Sequence, residues 1–359
     1  MQSKQSNKQS KRQIIDAVIN DYESRKEARI GLENKWKNNL NFYNGDQYVD
    51  YYKQYYWQST ESFNHIGPLV ENRLAILAEV QPKVQDELVR AVFEKLRFKR
   101  LIEEGNFWQE VTGSVFYKVT KVDHQPMITV CSPFEIYPDK LDVSNLAEIK
   151  SIIHAKKVDD QLVIEKWTRD HLTIVREQSL VYDGPLPYPF PFVRGTSELV
   201  AGQFFGKSVV DRIIPVQRAY NAIKNRRAEF MSRMACGVVA VEDGSVDIDS
   251  LEIDGLCPGK IIVYQQGYRE PKFMEAGVIP DELTKEEDRL LAEFNTISCG
   301  GDLLSSMAGR AMVGEGTLNI YNELAKRQLR RPIQSIEDVY EQVGQKILAI
   351  LGVENGSTK

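Results

Sequence analysis

The stretch AGQFFGKS, Ala201 to Ser208, is where residue types and spacing come closest to chemistry. Taken as a phosphate-cradling loop, it would set Lys207 against the β- and γ-phosphates of a nucleotide and leave Ser208 to hold Mg²⁺, which are the parts of a P-loop nucleotide hydrolase. Three physical features oppose that reading. A phosphate loop follows a buried strand, whereas a proline-rich crossing precedes this one, and Phe204 and Phe205 place two rings where backbone N–H groups should converge. No apolar strand ends in an aspartate suited to hold the metal, GVVAVED being the nearest. The GKS reads better as the lead-in to a helix, with nucleotide hydrolysis kept as an alternative.

The remaining reactive residues do not form a second candidate. Glu282, Glu286, Glu287, Asp288 and Glu293 recur at helical spacing, which describes a solvated or partner-facing stripe more simply than a pair of catalytic carboxylates. Cys131, Cys236, Cys257 and Cys299 contain no CxxC pair and read as reduced thiols. His65, His124, His154 and His171 show no HxxxH or HxxE spacing that would set two ligands on one helix face. The sequence therefore predicts no catalytic residue, no metal site and no cofactor.

The elements that would position these residues point toward assembly. At 359 residues the chain exceeds the size of one core, and its formal charge of -5 leaves any nucleic-acid contact to local patches. No apolar run is long enough for a membrane span, and the polar, basic N-terminus has no leader character, so a protein without membrane contact is expected. Met1 to Ser10 reads as a disordered tail. Arg12 to Tyr43 reads as one amphipathic helix ended by Asn44-Gly45. Tyr48, Tyr51, Tyr52, Tyr55, Tyr56 and Trp57 suit packing or an interface better than base stacking. Pro68 opens a helix that Pro82 closes, and from Phe116 short alternating runs predict one antiparallel sheet with a wet face. The prolines of YDGPLPYPFPFVRG then force an extended crossing, read as a linker.

Beyond the linker, a basic helix starting near Ser197 carries Arg218, Lys224, Arg226, Arg227 and Arg233, with a kink expected at Pro215. Cys236 to Pro280 is a small β insert whose strands are GVVAVED and GKIIVYQQ, too small to complete its own core. An acidic helix, a Gly-rich segment and a last helix with Lys326, Arg327, Arg330 and Arg331 follow. The first basic stripe is read as the complement of carboxylates on a neighbouring copy. The last stripe remains available for phosphates.

Several segments, in order, carry a family resemblance: WKNNLNFYNGDQY, then FNHIGPLVENRLAILAEVQPKV, then ITVCSPFEIYPDK, then PFPFVRGTSELVAGQFFGKSVVDRIIPVQRAYNAIKNRR. The chain resembles the portal proteins of tailed double-stranded DNA bacteriophages, the head-to-tail connector rings. The resemblance implies an α+β fold with an α/β wing over 11–202, after the tail at 1–10. A lead-in and first stem helix would occupy 203–235, a small β-containing clip 236–280, and a second stem helix 281–297. A tunnel loop over 298–316 would hold Gly300, Gly301, Met307, Gly309, Met312, Gly314 and Gly316, and a channel-side helix kinked at Pro332 would fill 317–352. A flexible end at 353–359 leaves the family's helical crown absent or minimal.

What the family does is then the functional expectation. Subunits form a homo-oligomeric ring, commonly of twelve, at one capsid vertex, and the ring conducts double-stranded DNA in packaging and ejection without catalysis. The implied partners are the DNA, the terminase large subunit, the major capsid or scaffolding protein and a head-tail adaptor. The implied location is the virion, and the host cytoplasm during assembly. Lys326, Arg327, Arg330, Arg331 and Arg310 are the residues expected to face DNA or channel. Arg218, Lys224, Arg226, Arg227, Glu286, Glu287 and Asp288 are expected between subunits on the stem. A scaffold that forms rings but never contacts DNA is the other alternative.

Overall fold

The computed structural model describes every residue except Met1, 49–58, Lys83, His124, Pro187, Gly237, 250–260, 275–280, 299–322, 324–325 and 353–359. The chain divides into two units: one of 1–46, 64–214 and 295–359, the other of 47–63 and 215–294.

In the first unit a single helix, α1 (Gln2–Asn44), runs to Gly45, whose φ of +91° suits glycine alone. The expected disordered tail is thus helical from Gln2, because adding turns to an existing helix avoids the cost of a new nucleus. Three shorter helices follow, α2 (Ile66–Ala78), α3 (Glu87–Lys95) and α4 (Phe98–Thr112). Asp86 caps α3 by accepting the N–H groups of Leu88 and Val89.

The predicted single sheet is two sheets. The strands β1 (Ser114–Val122), β2 (Gln125–Cys131) and β8 (Phe192–Thr196) pair in the order β2-β1-β8. The other five, β3 (Ile136–Pro138), β4 (Ser151–Val158), β5 (Gln161–Thr168), β6 (His171–Arg176) and β7 (Ser179–Pro185), pair in sequence order. All of these pairings are antiparallel. The β4–β5 hairpin closes through Asp159-Asp160, both at positive φ, the turn whose twist matches the strands it joins. The proline-rich crossing is correspondingly not a domain linker. It joins β7 to β8 inside one unit, and Pro185 ends the outer strand β7 while Pro191 precedes the outer strand β8, positions where no ladder N–H is needed.

Among the described residues the core of this unit has three clusters. Ile15, Val18 and Tyr22 of α1 cover Tyr137, Ile153, Ile164 and Val175 of the five-stranded sheet. Trp36 shares the second cluster with Phe116, Trp167, Phe192, Phe204 and Phe205, and its ring meets that of Phe205 edge-on. The C-terminal helix, numbered α7 below, buries Ile336, Val339, Val343 and Ile347 against Val115, Tyr117, Phe93 and Phe98.

The second unit contains most of α5 (Val210–Cys236), which has Pro215 inside it, and most of α6 (Asp281–Ser298). It also holds a two-stranded ribbon of β9 (Val238–Ala240) and β10 (Lys272–Met274). The second described strand of the insert is therefore Lys272–Met274, while residues 261–266 of GKIIVYQQ pair with no strand among the described residues. The final helix, α7 (Arg330–Leu351), begins after a turn at Leu329. Pro332 accordingly lies in its first turn, where the missing N–H would have had no partner anyway, and the expected interior kink is a helix break at Leu329.

Candidate functional site

A cleft of about 520 Å³ in the first unit gathers six basic side chains. Arg73 of α2, Lys207, Arg212 of α5, Arg327, and Arg330 and Arg331 of α7 line it, with Glu198 as the one carboxylate among the described residues of the wall. Glu198 is held by both Arg212 and Arg331, the latter at 2.7 Å. Arg73 reaches Glu110 at 2.5 Å behind the wall, and the fully buried Glu110 also accepts a hydrogen bond from the Ser197 hydroxyl. Lys207, Arg327 and Arg330 are exposed and have no carboxylate partner among the described residues. Lys326 is exposed but lies outside the cleft wall, so the predicted stripe is split.

The phosphate-loop reading of Ala201 to Ser208 fails on geometry. The Ser208 hydroxyl donates to the Glu110 carbonyl at 2.5 Å and accepts the Val210 N–H at 2.9 Å, which makes it the cap of α5 and leaves it no role toward a metal. Phe204 and Phe205 are buried in the aromatic core. Gly206 is required for another reason. A Cβ there would stand 2.4 Å from the Gly113 carbonyl oxygen and 2.8 Å from that of Glu198. Lys207 is the residue of the motif that lines the basic cleft, while Gly202, Gln203, Phe205 and Gly206 join it along a second one, beside Lys35 and Asp211.

In the second unit, the charges assigned to a neighbouring copy are partly satisfied at home. Glu287 of α6 accepts from Lys224 at 2.5 Å and from Arg227 at 3.0 Å, an intrachain bridge between α5 and α6. Burial pushes the Glu287 carboxyl up, but the two cations hold it below the usual carboxylate range. Glu286 pairs with Arg289 on its own helix, while Arg218, Arg226 and Asp288 lie exposed.

The same unit contains a device the sequence reading missed. Gln217, Asn221, Asn225 and Glu229 recur every fourth residue on α5 and hydrogen-bond an extended strip, 59–63, along its backbone. Asn221 accepts the Phe63 N–H, and Asn225 both accepts from Glu61 and donates to it. Amides at i+4 spacing, buried and not facing water, were the available signal.

A buried network links the two sheets of the first unit. Glu165 accepts from Lys118 at 2.8 Å and from the Trp167 ring at 3.0 Å, and lies 3.1 Å from His154 Nδ1. Cys131, Glu135 and His154 also bring a thiol, a carboxylate oxygen and a ring nitrogen within 4.8 Å of one another, a donor set of metal-ligand type. Both ring nitrogens already meet carboxylates, however, and the Lys118 ammonium 3.1 Å from the ring opposes an added cation. The cluster is an ion network.

Burial alone would push the His154 ring down, but hydrogen bonding to Cys131, Glu135 and Glu165 outweighs it and pushes the ring up to about 10. Burial likewise raises Glu165, yet His154 and Lys118 hold it well below the usual carboxylate range. The folded value of His154 exceeds its ordinary 6.5, so its stabilisation is complete below that pH and is lost as the pH climbs toward 10. Glu165 contributes above its ordinary 4.5 and is lost on acidification. Melting temperature should therefore decline from pH 6.5 toward 10, and His154→Gln should flatten that decline; an unchanged slope in the variant would remove His154 as its cause.

Arg310 and the tunnel-loop residues Gly300, Gly301, Met307, Gly309, Met312, Gly314 and Gly316 lie outside the described residues, as does the Tyr-rich stretch from Tyr51 to Trp57. Among the described residues no helix is long and apolar enough to cross a membrane.

No protein-family model matches the chain, and no curated protein matches it by sequence. By structure it is similar to a chain of the virion of a native gene transfer agent particle, with a TM-score of 0.50, 13% identity, and 79% of this chain and 77% of that one covered. A chain in the neck of an empty particle of the same kind gives a TM-score of 0.47 at 12% identity, over 80% and 77% of the two chains. The first likeness is one of fold: the mixed helix-and-sheet arrangement is shared with a particle component.

Proposed function

We propose that this chain is a non-enzymatic subunit of a ring at one vertex of a virion-like particle, a portal through which double-stranded DNA enters and leaves. The observation that carries the reading is the fold shared over 79% of the chain with a component of a virion. The order of helix, β insert, helix and terminal helix agrees with it, and so does the ordered set of portal-like segments.

Surface chemistry supports assembly as well. Ile261 and Val263 of the insert are 85% and 79% exposed on a segment that pairs with no strand among the described residues. Apolar residues exposed in this way are what a neighbouring copy would cover. A closed ring supplies that neighbour to every copy.

In this reading the terminase large subunit docks during packaging and head-tail adaptors replace it afterwards, with the major capsid or scaffolding protein around the rim. Lys326, Arg327, Arg330, Arg331 and Arg310 are the candidates for DNA, and Arg218, Lys224, Arg226, Arg227, Glu286, Glu287 and Asp288 those for subunit contacts on the stem. Native mass spectrometry of the purified chain tests the assembly: a closed ring of one subunit number is expected, whereas a monomer at every concentration contradicts it.

A further inference from the structure

We propose that the cleft lined by Lys207, Arg327 and Arg330, with Arg73, Arg212 and Arg331 around them, is a binding site for phosphate groups. The site is independent of ring formation; the connector reading enters only as one possible source of the phosphate, nucleic acid.

The argument starts from a local conflict. A helix N-terminus carries the positive end of the helix dipole and favours carboxylates in its first turn. At the start of α7 the chain instead places Arg330 and Arg331, with no acid in the first turn and no side-chain cap from Leu329. Arg327 lies just before them, and Lys207 and Arg212 flank the start of α5 at the same cleft. Those of them without a carboxylate partner among the described residues, Lys207, Arg327 and Arg330, repel one another in the free protein. A bound anion would relieve every one of these repulsions together.

The balance of partners sharpens the point. Arg73 is spent on Glu110, while Arg212 and Arg331 share the single Glu198, so that side of the wall is neutralised and fixed. Lys207, Arg327 and Arg330 are then left with donors and no acceptor among the described residues. Guanidinium forks supply paired, planar donors that match phosphate oxygens, and an ammonium beside them adds a point charge.

Shape selects among anions. A cleft of about 520 Å³ is concave and small, whereas a duplex presents a long convex surface. The cleft therefore fits one or a few adjoining phosphates, from a nucleic-acid strand or from a free polyphosphate. No metal need accompany them, because Ser208, the motif's metal-holding candidate, is committed to capping α5.

Isothermal titration of the full chain with sodium tripolyphosphate, in magnesium-free buffer of low salt, tests the site. Binding is expected, with affinity falling about tenfold in Arg330→Gln and in Lys207→Gln and further in the Arg327→Gln/Arg330→Gln double variant. Lys157→Gln, on an exposed stretch of β4, controls for loss of charge alone and should bind as the parent does. Arg330→Gln should melt no lower than the parent without ligand and should gain less on adding it, an outcome that a purely structural arginine would reverse.

Competition identifies the source. A short duplex that displaces tripolyphosphate supports the site with nucleic acid as its ligand, and one that does not supports it with free polyphosphate. Absence of tripolyphosphate binding, equal loss in Lys157→Gln, or tighter binding of poly-glutamate overturns the proposal. Tripolyphosphate binding by a chain that never forms rings would refute the connector and keep the site; rings without that binding would do the opposite.

Discussion

Arg29→Met should lower the stability of the chain by about 4 kcal/mol or more, one of the two largest losses expected of any single substitution here. Arg29 is 1% exposed, and its guanidinium donates to the carbonyls of Pro133, Phe134 and Ile136 and to the Glu33 carboxylate. It also lies 3.7 Å from the Tyr137 ring centroid and near Trp36 and Phe205. One side chain thus fastens α1 to the turn that leads into the five-stranded sheet. Methionine keeps the apolar stem and removes the fork, leaving three carbonyls and a carboxylate without their donor at roughly 1–3 kcal/mol for each group that water cannot reach. Lysine should recover only part, since one ammonium cannot span three carbonyls. Urea unfolding measures the loss, and a change below about 1 kcal/mol would show that the carbonyls find other partners.

Glu110→Ala should cost about 3–5 kcal/mol, the range for breaking a buried ion pair from one side. Glu110 binds Arg73 Nε at 2.5 Å and the Ser197 hydroxyl at 2.8 Å, while its own carbonyl accepts from Ser208. The residue therefore ties α2, α4 and the start of α5 together behind the basic cleft. Alanine leaves Arg73 charged, nearly buried and unpaired. Replacing both partners by methionine should restore most of the stability, because the pair's Coulomb attraction is offset by its desolvation. A double-mutant cycle read by thermal melting separates the two effects, and a double variant no more stable than Glu110→Ala would refute the account.

How much of this was legible in the sequence differs by kind of residue. Apolar periodicity located α1, α2, α5, α6 and the strands β1, β2, β4, β5 and β6, because burial on one face imposes its period directly. It did not separate one sheet from two, since strand partners are chosen across long stretches of sequence. Nor did it give α3 and α4 their place, or the turn at Leu329 that puts Pro332 in a first turn.

The polar residues that matter most were the least legible. Arg29, Glu110 and Asn225 look like ordinary surface residues of amphipathic helices, and only the tertiary fold buries them. The basic stripe was visible as composition, but its division between a cleft and an exposed Lys326 depends on where α7 starts. Glu287 looked available to a neighbour because its partners, Lys224 and Arg227, lie about sixty residues earlier in the chain.

The central claim is a ring with a passage for DNA, and negative-stain imaging of the purified full chain tests it most directly. The account predicts end-on views of one closed ring with a stain-filled central hole wide enough to pass a duplex. Compact particles of one subunit, or closed assemblies with no central opening, would contradict it.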